Sequence, residues 1–156
     1  MKTLVILLGL PGSGKSSFAK MLNERLENSK IFEFDQFVPL EKQIDNMKAD
    51  RKKLLENVDR EIEKSEQTLV FIIDDNNYYT SMRYEYFQLA KKHQIGFCQF
   101  FTDVPIEICK KNNESREISV PDEVIDKMAV KLEAPNPLKN AWEQFSFALS
   151  MKVIHH

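Results

Sequence analysis

No apolar run in this chain approaches the ~20 residues that a helix needs to cross a bilayer. Its first residues carry one lysine and lead straight into a strand-like segment. The charged, apolar and small-residue succession of a secretory leader is missing there, so a cytoplasmic protein is expected. Cysteine is scarce, and Cys98 and Cys109 fit no metal-ligand spacing, which leaves both as reduced core thiols. A charge surplus is missing too: 22 Lys and Arg stand against 24 Asp and Glu, a net charge of −2. Proteins that grip nucleic acid by its phosphates usually carry a basic face. The basic clusters here (Lys48 with Arg51-Lys52-Lys53, Lys91-Lys92 and Lys110-Lys111) are interleaved with carboxylates, so composition neither demands RNA nor excludes it. Nothing in the chain calls for an obligate protein partner.

Glycine is the most telling scarcity. There are four in 156 residues, and Gly9, Gly12 and Gly14 fall in one turn. Before that turn, Leu4 to Leu8 is the continuous apolar run of a strand buried on both faces of a parallel sheet. After it, Phe18, Met21, Leu22 and Leu26 mark one face of a helix. The turn itself reads Gly9-Leu10-Pro11-Gly12-Ser13-Gly14-Lys15-Ser16-Ser17, the full Gly-x-x-x-x-Gly-Lys-Ser phosphate-binding pattern. The glycines admit positive backbone torsions that aim several N–H groups at phosphate oxygens. The helix that follows points its positive end at the same anion. In this pattern Lys15 reaches the β- and γ-phosphates and the Ser16 hydroxyl takes a place on Mg²⁺. A glycine-rich turn followed by a chance lysine would rarely match all eight positions in a strand–turn–helix context. A nucleoside triphosphate is therefore expected across Gly9 to Ser17.

The rest alternates strand and helix patterns: strands at 30–34, 69–73 and 95–101, with helices at 40–66, 81–92, 105–112 and 121–132. Phe145 to Val153 is the expected fifth strand. The stretch Lys48 to Lys53 reads as a solvated helix face. This pattern predicts one α/β domain over residues 1–154, a parallel sheet of about five strands with helices on both faces, of the P-loop kinase type. Asp35 ends the second strand and Asp74-Asp75 end the third, where such folds collect their chemistry. Four apolar residues before Asp74 make a Walker B pattern, whose acid holds Mg²⁺. Asp35 stands where it would orient or deprotonate an acceptor hydroxyl. The polar segment 113–120 is placed to act as a lid, with Lys110, Lys111 and Arg116 as cations for the transferring group and Arg116 foremost.

At Asp74-Asp75-Asn76-Asn77-Tyr78-Tyr79-Thr80-Ser81-Met82-Arg83-Tyr84-Glu85 the chain resembles the O-phosphoseryl-tRNA(Sec) kinase family. The tail Lys131-Leu-Glu-Ala-Pro-Asn-Pro-Leu-Lys-Asn-Ala-Trp-Glu143 carries the same likeness, as does Gly96-Phe-Cys-Gln-Phe-Phe101. The resemblance implies ATP as donor, Mg²⁺ as cofactor and seryl-tRNA(Sec) as substrate, with Asp35 at the seryl hydroxyl or the metal. It implies an Arg-x-x-x-Arg lid motif, where this chain has Lys111-Asn-Asn-Glu-Ser-Arg116: a lysine for the first arginine and one extra residue. It also implies a helical C-terminal domain that grips tRNA, which lies outside the domain expected here. Two other readings share the phosphate loop. One is a tRNA-associated regulatory ATPase like the Elongator-associated P-loop proteins, which have part of the Asn-Tyr…Arg-Tyr-Glu pattern and phosphorylate nothing. The other is a kinase of free metabolites or polynucleotide 5′-hydroxyls.

Overall fold

A computed structural model describes residues 1–34, 43–116 and 119–150, with residues 43–47 described in their backbone alone. Five strands, β1 (Thr3–Leu8), β2 (Ser29–Glu33), β3 (Val70–Asp74), β4 (Gly96–Thr102) and β5 (Ser146–Leu149), form one sheet in the order β2-β3-β1-β4-β5. Every pairing is parallel. The helices are α1 (Lys15–Arg25), α2 (Gln43–Lys64), α3 (Thr80–His93), α4 (Ile106–Glu114) and α5 (Asp122–Lys131). This is the expected P-loop kinase architecture. Among the described residues no helix is long and apolar enough to cross a membrane.

Successive strand residues point to opposite faces, and the two sides of the sheet divide accordingly. Leu4 and Ile6 of β1, with Phe71 and Ile73 of β3, pack under Val58 and Ile62 of α2 and Tyr86, Leu89 and Ala90 of α3. Val5, Leu7 and Ile72 point the other way, onto Phe18 and Ala19 of α1. The β1 run is apolar without alternation because helices cover it on both sides. A third cluster, Leu10, Val104, Cys109, Val124, Ile125 and Met128, seats α4 and α5 against the turn after β1. Both cysteines are free thiols, and burial pushes Cys98 up to about 11 and Cys109 up from its ordinary value.

One element departs from expectation. Segment 113–120 begins inside a helix, because α4 continues through Asn113 and Glu114. The cause is the Asn113 side chain, 2% exposed. Its amide donates to the Val120 carbonyl at 2.6 Å and accepts from the Val120 N–H at 3.1 Å. The two ends of the segment are thereby clasped together.

Two of the segments that carry the family resemblance meet at a buried ion pair. Arg83 of α3 and Glu143, in a short 3₁₀ turn at Ala141–Glu143, are both fully buried, with Nη2 and Oε2 3.0 Å apart. Arg83 Nη1 also donates to the Asn77 carbonyl at 2.9 Å. Glu143 accepts further from Gln99 Nε2 at 3.1 Å, Asn140 Nδ2 at 3.0 Å and the Asn136 N–H at 3.2 Å. From the same tail, Glu133 Oε1 accepts from the Thr80 N–H at 2.9 Å and so caps α3. The tail thus fixes the loop that leaves β3.

Burial alone would push the Glu143 carboxyl up, but the bonds from Gln99, Asn140 and Asn136, with the Arg83 charge, hold it below its ordinary value. A depressed carboxylate contributes stability above the unfolded pKa of about 4.3, and the contribution is lost as pH falls through the lower folded value. Arg83→Met, which strands Glu143, is expected to cost about 3–5 kcal/mol in urea denaturation at pH 7. Glu143→Gln should also be destabilised at pH 7 yet lose less stability than the parent on acidification below about pH 4. An unchanged acid limb in that variant would assign the acid sensitivity to other groups.

Candidate functional site

β1 and β3 are neighbours, and the connections that leave them run in opposite senses, β1 towards β2 and β3 towards β4, which opens a crevice at their carboxyl ends. The glycine turn fills it. Gly12 has φ +81°, and a Cβ there would lie 2.2 Å from the Cys109 carbonyl oxygen of α4. A Cβ on Gly9 would lie 2.1 Å from Thr102 Oγ1. Glycine is therefore required at both points by close approach as well as by torsion. The turn is bonded to its supports. Asn112 Nδ2 donates to the Gly12 carbonyl at 3.0 Å, and Ser13 Oγ shares a 2.5 Å hydrogen bond with Thr102 Oγ1. Thr102 Oγ1 in turn donates to the Leu8 carbonyl at 3.2 Å, and the Gly9 N–H donates to the Asn76 carbonyl at 3.0 Å.

Helix α1 springs from Gly14, which has φ +94° and gives no side-chain cap, and its first turn holds no acidic residue. The α4 and α5 first turns carry Glu107 and Asp122-Glu123, and Glu133 caps α3. Of the helix starts described with their caps, α1, α3, α4 and α5, that of α1 is the end left for an outside anion. Lys15 lies beside it, 7% exposed, with Nζ donating to the Leu10 carbonyl at 2.7 Å. Burial lowers its pKa to about 8, against the opposing pull of Asp74 and Asp75; the nearby Arg116 charge lowers it further. The hydrogen-bond acceptors of this buried ammonium, the Leu10 carbonyl and Ser13 Oγ, are neutral, so an anion would solvate its charge better.

Ser16 Oγ donates to Asp74 Oδ2 at 2.8 Å, which joins the turn to the end of β3. The pairing register makes this contact, since Leu7 of β1 lies opposite Asp74. A hydroxyl and a carboxylate in contact form a hard oxygen pair of the kind Mg²⁺ takes, completed by waters and phosphate oxygens. Among the described residues no group of three or more His, Cys, Asp or Glu could hold a metal by itself. Leu10 and Pro11 are buried under the turn, and Ser17 is exposed on α1.

Of the other expected residues, Asp35 lies outside the described residues. Arg116 is exposed just after α4, near enough to act on the charge of Lys15. Lys110 is paired on the surface, with Nζ 2.7 Å from Asp126 Oδ1 on α5. Sequence reading missed four contributors: Thr102, Asn113, Asn77 and Arg51. Buried Asn77 has φ +45° and its Nδ2 donates to the Leu7 carbonyl at 2.8 Å. Arg51 of α2 binds Asp75 with Nε to Oδ2 at 3.0 Å and lies over the Phe34 and Tyr78 rings at 4.8 and 5.4 Å. The tandem Asn76-Asn77 after a strand was the one available signal, because asparagine favours positive φ.

Lys15 sets a sign for stability. Its folded pKa near 8 lies below its ordinary 10.5, so between these values the unfolded chain holds more protons and stability should rise with pH. Lys15→Met should abolish that rise and stabilise the ligand-free protein by roughly 1–2 kcal/mol below pH 8. Urea melts of both proteins at pH 7 and pH 10 check this through their difference, since the raised thiols of Cys98 and Cys109 act in the opposite sense in both; a difference between parent and Lys15→Met that does not change across the window would contradict it.

A family model described as "Chromatin associated protein KTI12" matches residues 2–155. The L-seryl-tRNA(Sec) kinase of Mus musculus is 31% identical over 94% of this chain and 58% of its own length. The Homo sapiens enzyme is 52% identical over 52% of this chain and 23% of its own length. Protein kti12 of Schizosaccharomyces pombe is 30% identical over 94% of this chain and 56% of its own. The chain thus spans a little over half the length of the mouse and fission-yeast relatives. The crystal structure of Chaetomium thermophilum Kti12 in complex with ADP-AlF3 superposes with a TM-score of 0.77 at 22% identity, covering 95% of this chain and 89% of that one. A gluconokinase from Sinorhizobium meliloti gives 0.65 at 17% identity over 95% and 82%. The fold is that of the P-loop kinases, and the chain belongs to the KTI12 family, with L-seryl-tRNA(Sec) kinases among its relatives.

Proposed function

We propose that this chain transfers the γ-phosphoryl group of ATP, with Mg²⁺, to the seryl hydroxyl of seryl-tRNA(Sec). The observation that carries phosphoryl transfer is the Ser16–Asp74 contact at 2.8 Å, set beside buried Lys15 and the uncapped start of α1. The acceptor is supported by likeness to the mouse and human L-seryl-tRNA(Sec) kinases. A cytoplasmic location goes with this reading.

In it, N–H groups from Gly12 to Ser16 hold the phosphates, and Lys15 exchanges the Leu10 carbonyl for a phosphate oxygen. Ser16 and Asp74 would hold Mg²⁺, whose charge stabilises that developing on the phosphoryl oxygens. Arg116, from beyond α4, supplies a second cation, and the Asn113 clasp fixes where its segment starts and ends. Asp35 would orient the acceptor hydroxyl. Loose transition states ask little of a base, so positioning is its expected role.

A second reading has its own support: the family model bears the KTI12 name, and the fission-yeast kti12 protein aligns over 94% of the chain. There the same site would hydrolyse ATP and label no acceptor.

Transfer from γ-labelled ATP, offered seryl-tRNA(Sec), seryl-tRNA(Ser), uncharged tRNA and free serine in parallel, separates the two. The proposal expects label on seryl-tRNA(Sec), and Lys15→Ala should reduce it by several orders of magnitude. Hydrolysis without a labelled acceptor would favour the second reading, and turnover unchanged in Lys15→Ala would remove the phosphate-loop assignment itself.

A further inference from the structure

Two buried hydroxyls lie under the glycine turn. Ser13 and Thr102 are each 1% exposed, and their oxygens are 2.5 Å apart. Ser13 belongs to the turn and Thr102 closes β4, so the contact joins points 89 residues apart. Thr102 reaches the turn because β4 runs beside β1, with Phe101 opposite Leu8. Gly9 makes room for the pair: a Cβ there would lie 2.1 Å from Thr102 Oγ1 and 2.8 Å from Ser13 Oγ.

Each hydroxyl has one proton, and the surroundings decide where both protons point. The Leu8 carbonyl, 3.2 Å from Thr102 Oγ1, can only accept, so it takes the Thr102 proton. Ser13 then gives its own proton to Thr102 Oγ1. What Ser13 has left is lone pairs, and Lys15 Nζ stands 3.5 Å from them. A protonated amine can only donate. The reverse sense, with Thr102 donating to Ser13, would leave the Ser13 proton to face the ammonium. The four groups therefore form a one-way chain: ammonium to Ser13, Ser13 to Thr102, Thr102 to the Leu8 carbonyl. Buried bonds aligned head to tail polarise one another, which makes Ser13 Oγ a better acceptor than an isolated hydroxyl.

The other acceptor of Lys15, the Leu10 carbonyl at 2.7 Å, also accepts from the Ser13 N–H at 3.1 Å. In the reading proposed above, Lys15 leaves Leu10 for a phosphate oxygen. Ser13 is then the protein acceptor that stays with the ammonium, held from beneath by β4. Charge alone draws an ammonium to a triphosphate from any direction. A second, fixed acceptor decides which oxygen it faces while charge develops there.

We infer that Thr102 is a positioning residue for phosphoryl transfer: it holds the Ser13 hydroxyl with its lone pairs towards Lys15 and so aims the ammonium at the group being transferred. The inference rests on the phosphate-loop part of the proposed function and is independent of the acceptor.

The test compares Thr102→Val, which keeps the shape and removes the hydroxyl, with Thr102→Ser, which keeps the hydroxyl. Two quantities are measured for each: calorimetric affinity for ATP with Mg²⁺, and the single-turnover rate at which bound γ-labelled ATP loses its terminal phosphoryl group to water or to seryl-tRNA(Sec). Thr102→Val should lower that rate about tenfold or more while affinity changes less than about threefold, and Thr102→Ser should stay within about threefold of the parent in both. Ser13→Ala should show the same split. Adding Thr102→Val to it should lower the rate no further, because the threonine acts through the serine. An unchanged rate in Thr102→Val, an equal loss in Thr102→Ser, a loss of affinity that matches the loss of rate, or a further loss in the double variant would each overturn the inference. If the valine variant does not fold, Ser13→Ala set against Thr102→Ser decides, and an unchanged rate in Ser13→Ala overturns it. A parent that binds no ATP removes the phosphate-loop reading and this inference with it. A parent that cleaves ATP but labels no seryl-tRNA(Sec) removes the acceptor alone, and its hydrolysis rate then decides on Thr102.

Discussion

The 2.8 Å hydrogen bond from Ser16 to Asp74 ties together segments far apart in sequence, and the remaining site geometry follows from what makes it possible. It exists because β1 and β3 are neighbours in a parallel sheet, so that their carboxyl ends emerge side by side. It also needs α1 to start immediately, which the positive torsion of Gly14 permits. It needs the turn to lie flat against α4 and β4, which the missing side chains of Gly12 and Gly9 permit. The consequence is a buried lysine whose charge is poorly solvated, beside a helix end without a cap. Such a site is destabilised until an anion arrives, and binding then gains what folding gave up.

The arrangement is held in place from away from the turn. Arg83 and Glu143 form a fully buried pair whose remaining hydrogen-bonding capacity is largely satisfied by Asn77, Gln99, Asn136 and Asn140. A pair this well enclosed is worth more for fixing one arrangement than for net stability. Here it fixes the loop after β3, which holds Asp75 for Arg51 and Asn77 for the Leu7 carbonyl. Arg83 and Glu143, from two of the segments that carry the family resemblance, therefore serve as scaffolding for the loop that follows Asp74.

How much of this was legible in the sequence depended on whether the signal was local. The glycine turn was readable because backbone torsion and close approach leave only glycine at fixed spacings. β1 and β3 were readable because double burial demands unbroken apolar runs, and the strand ends fell within a residue for β2, β3 and β4. Asp74 was readable as the acid closing such a run. Glu143 was not, since a glutamate beside a tryptophan in a polar tail looks exposed, and only a partner from α3 keeps it buried. Arg51 was hidden for a related reason: helical periodicity gives the outward face but not what stands opposite. The Lys110 ion pair was hidden because Asp126 belongs to another helix. The Asn113 clasp required knowing that Val120 returns to the same place.

The central claim is that Ser16 and Asp74 together hold the metal on which a bound triphosphate depends. Calorimetric titration of ATP with and without Mg²⁺ addresses it most directly, in the parent chain and in Ser16→Ala and Asp74→Asn. The account predicts that Mg²⁺ strengthens ATP binding in the parent and that either substitution removes most of that increment while metal-free binding persists. An increment of the same size in all three proteins would contradict it.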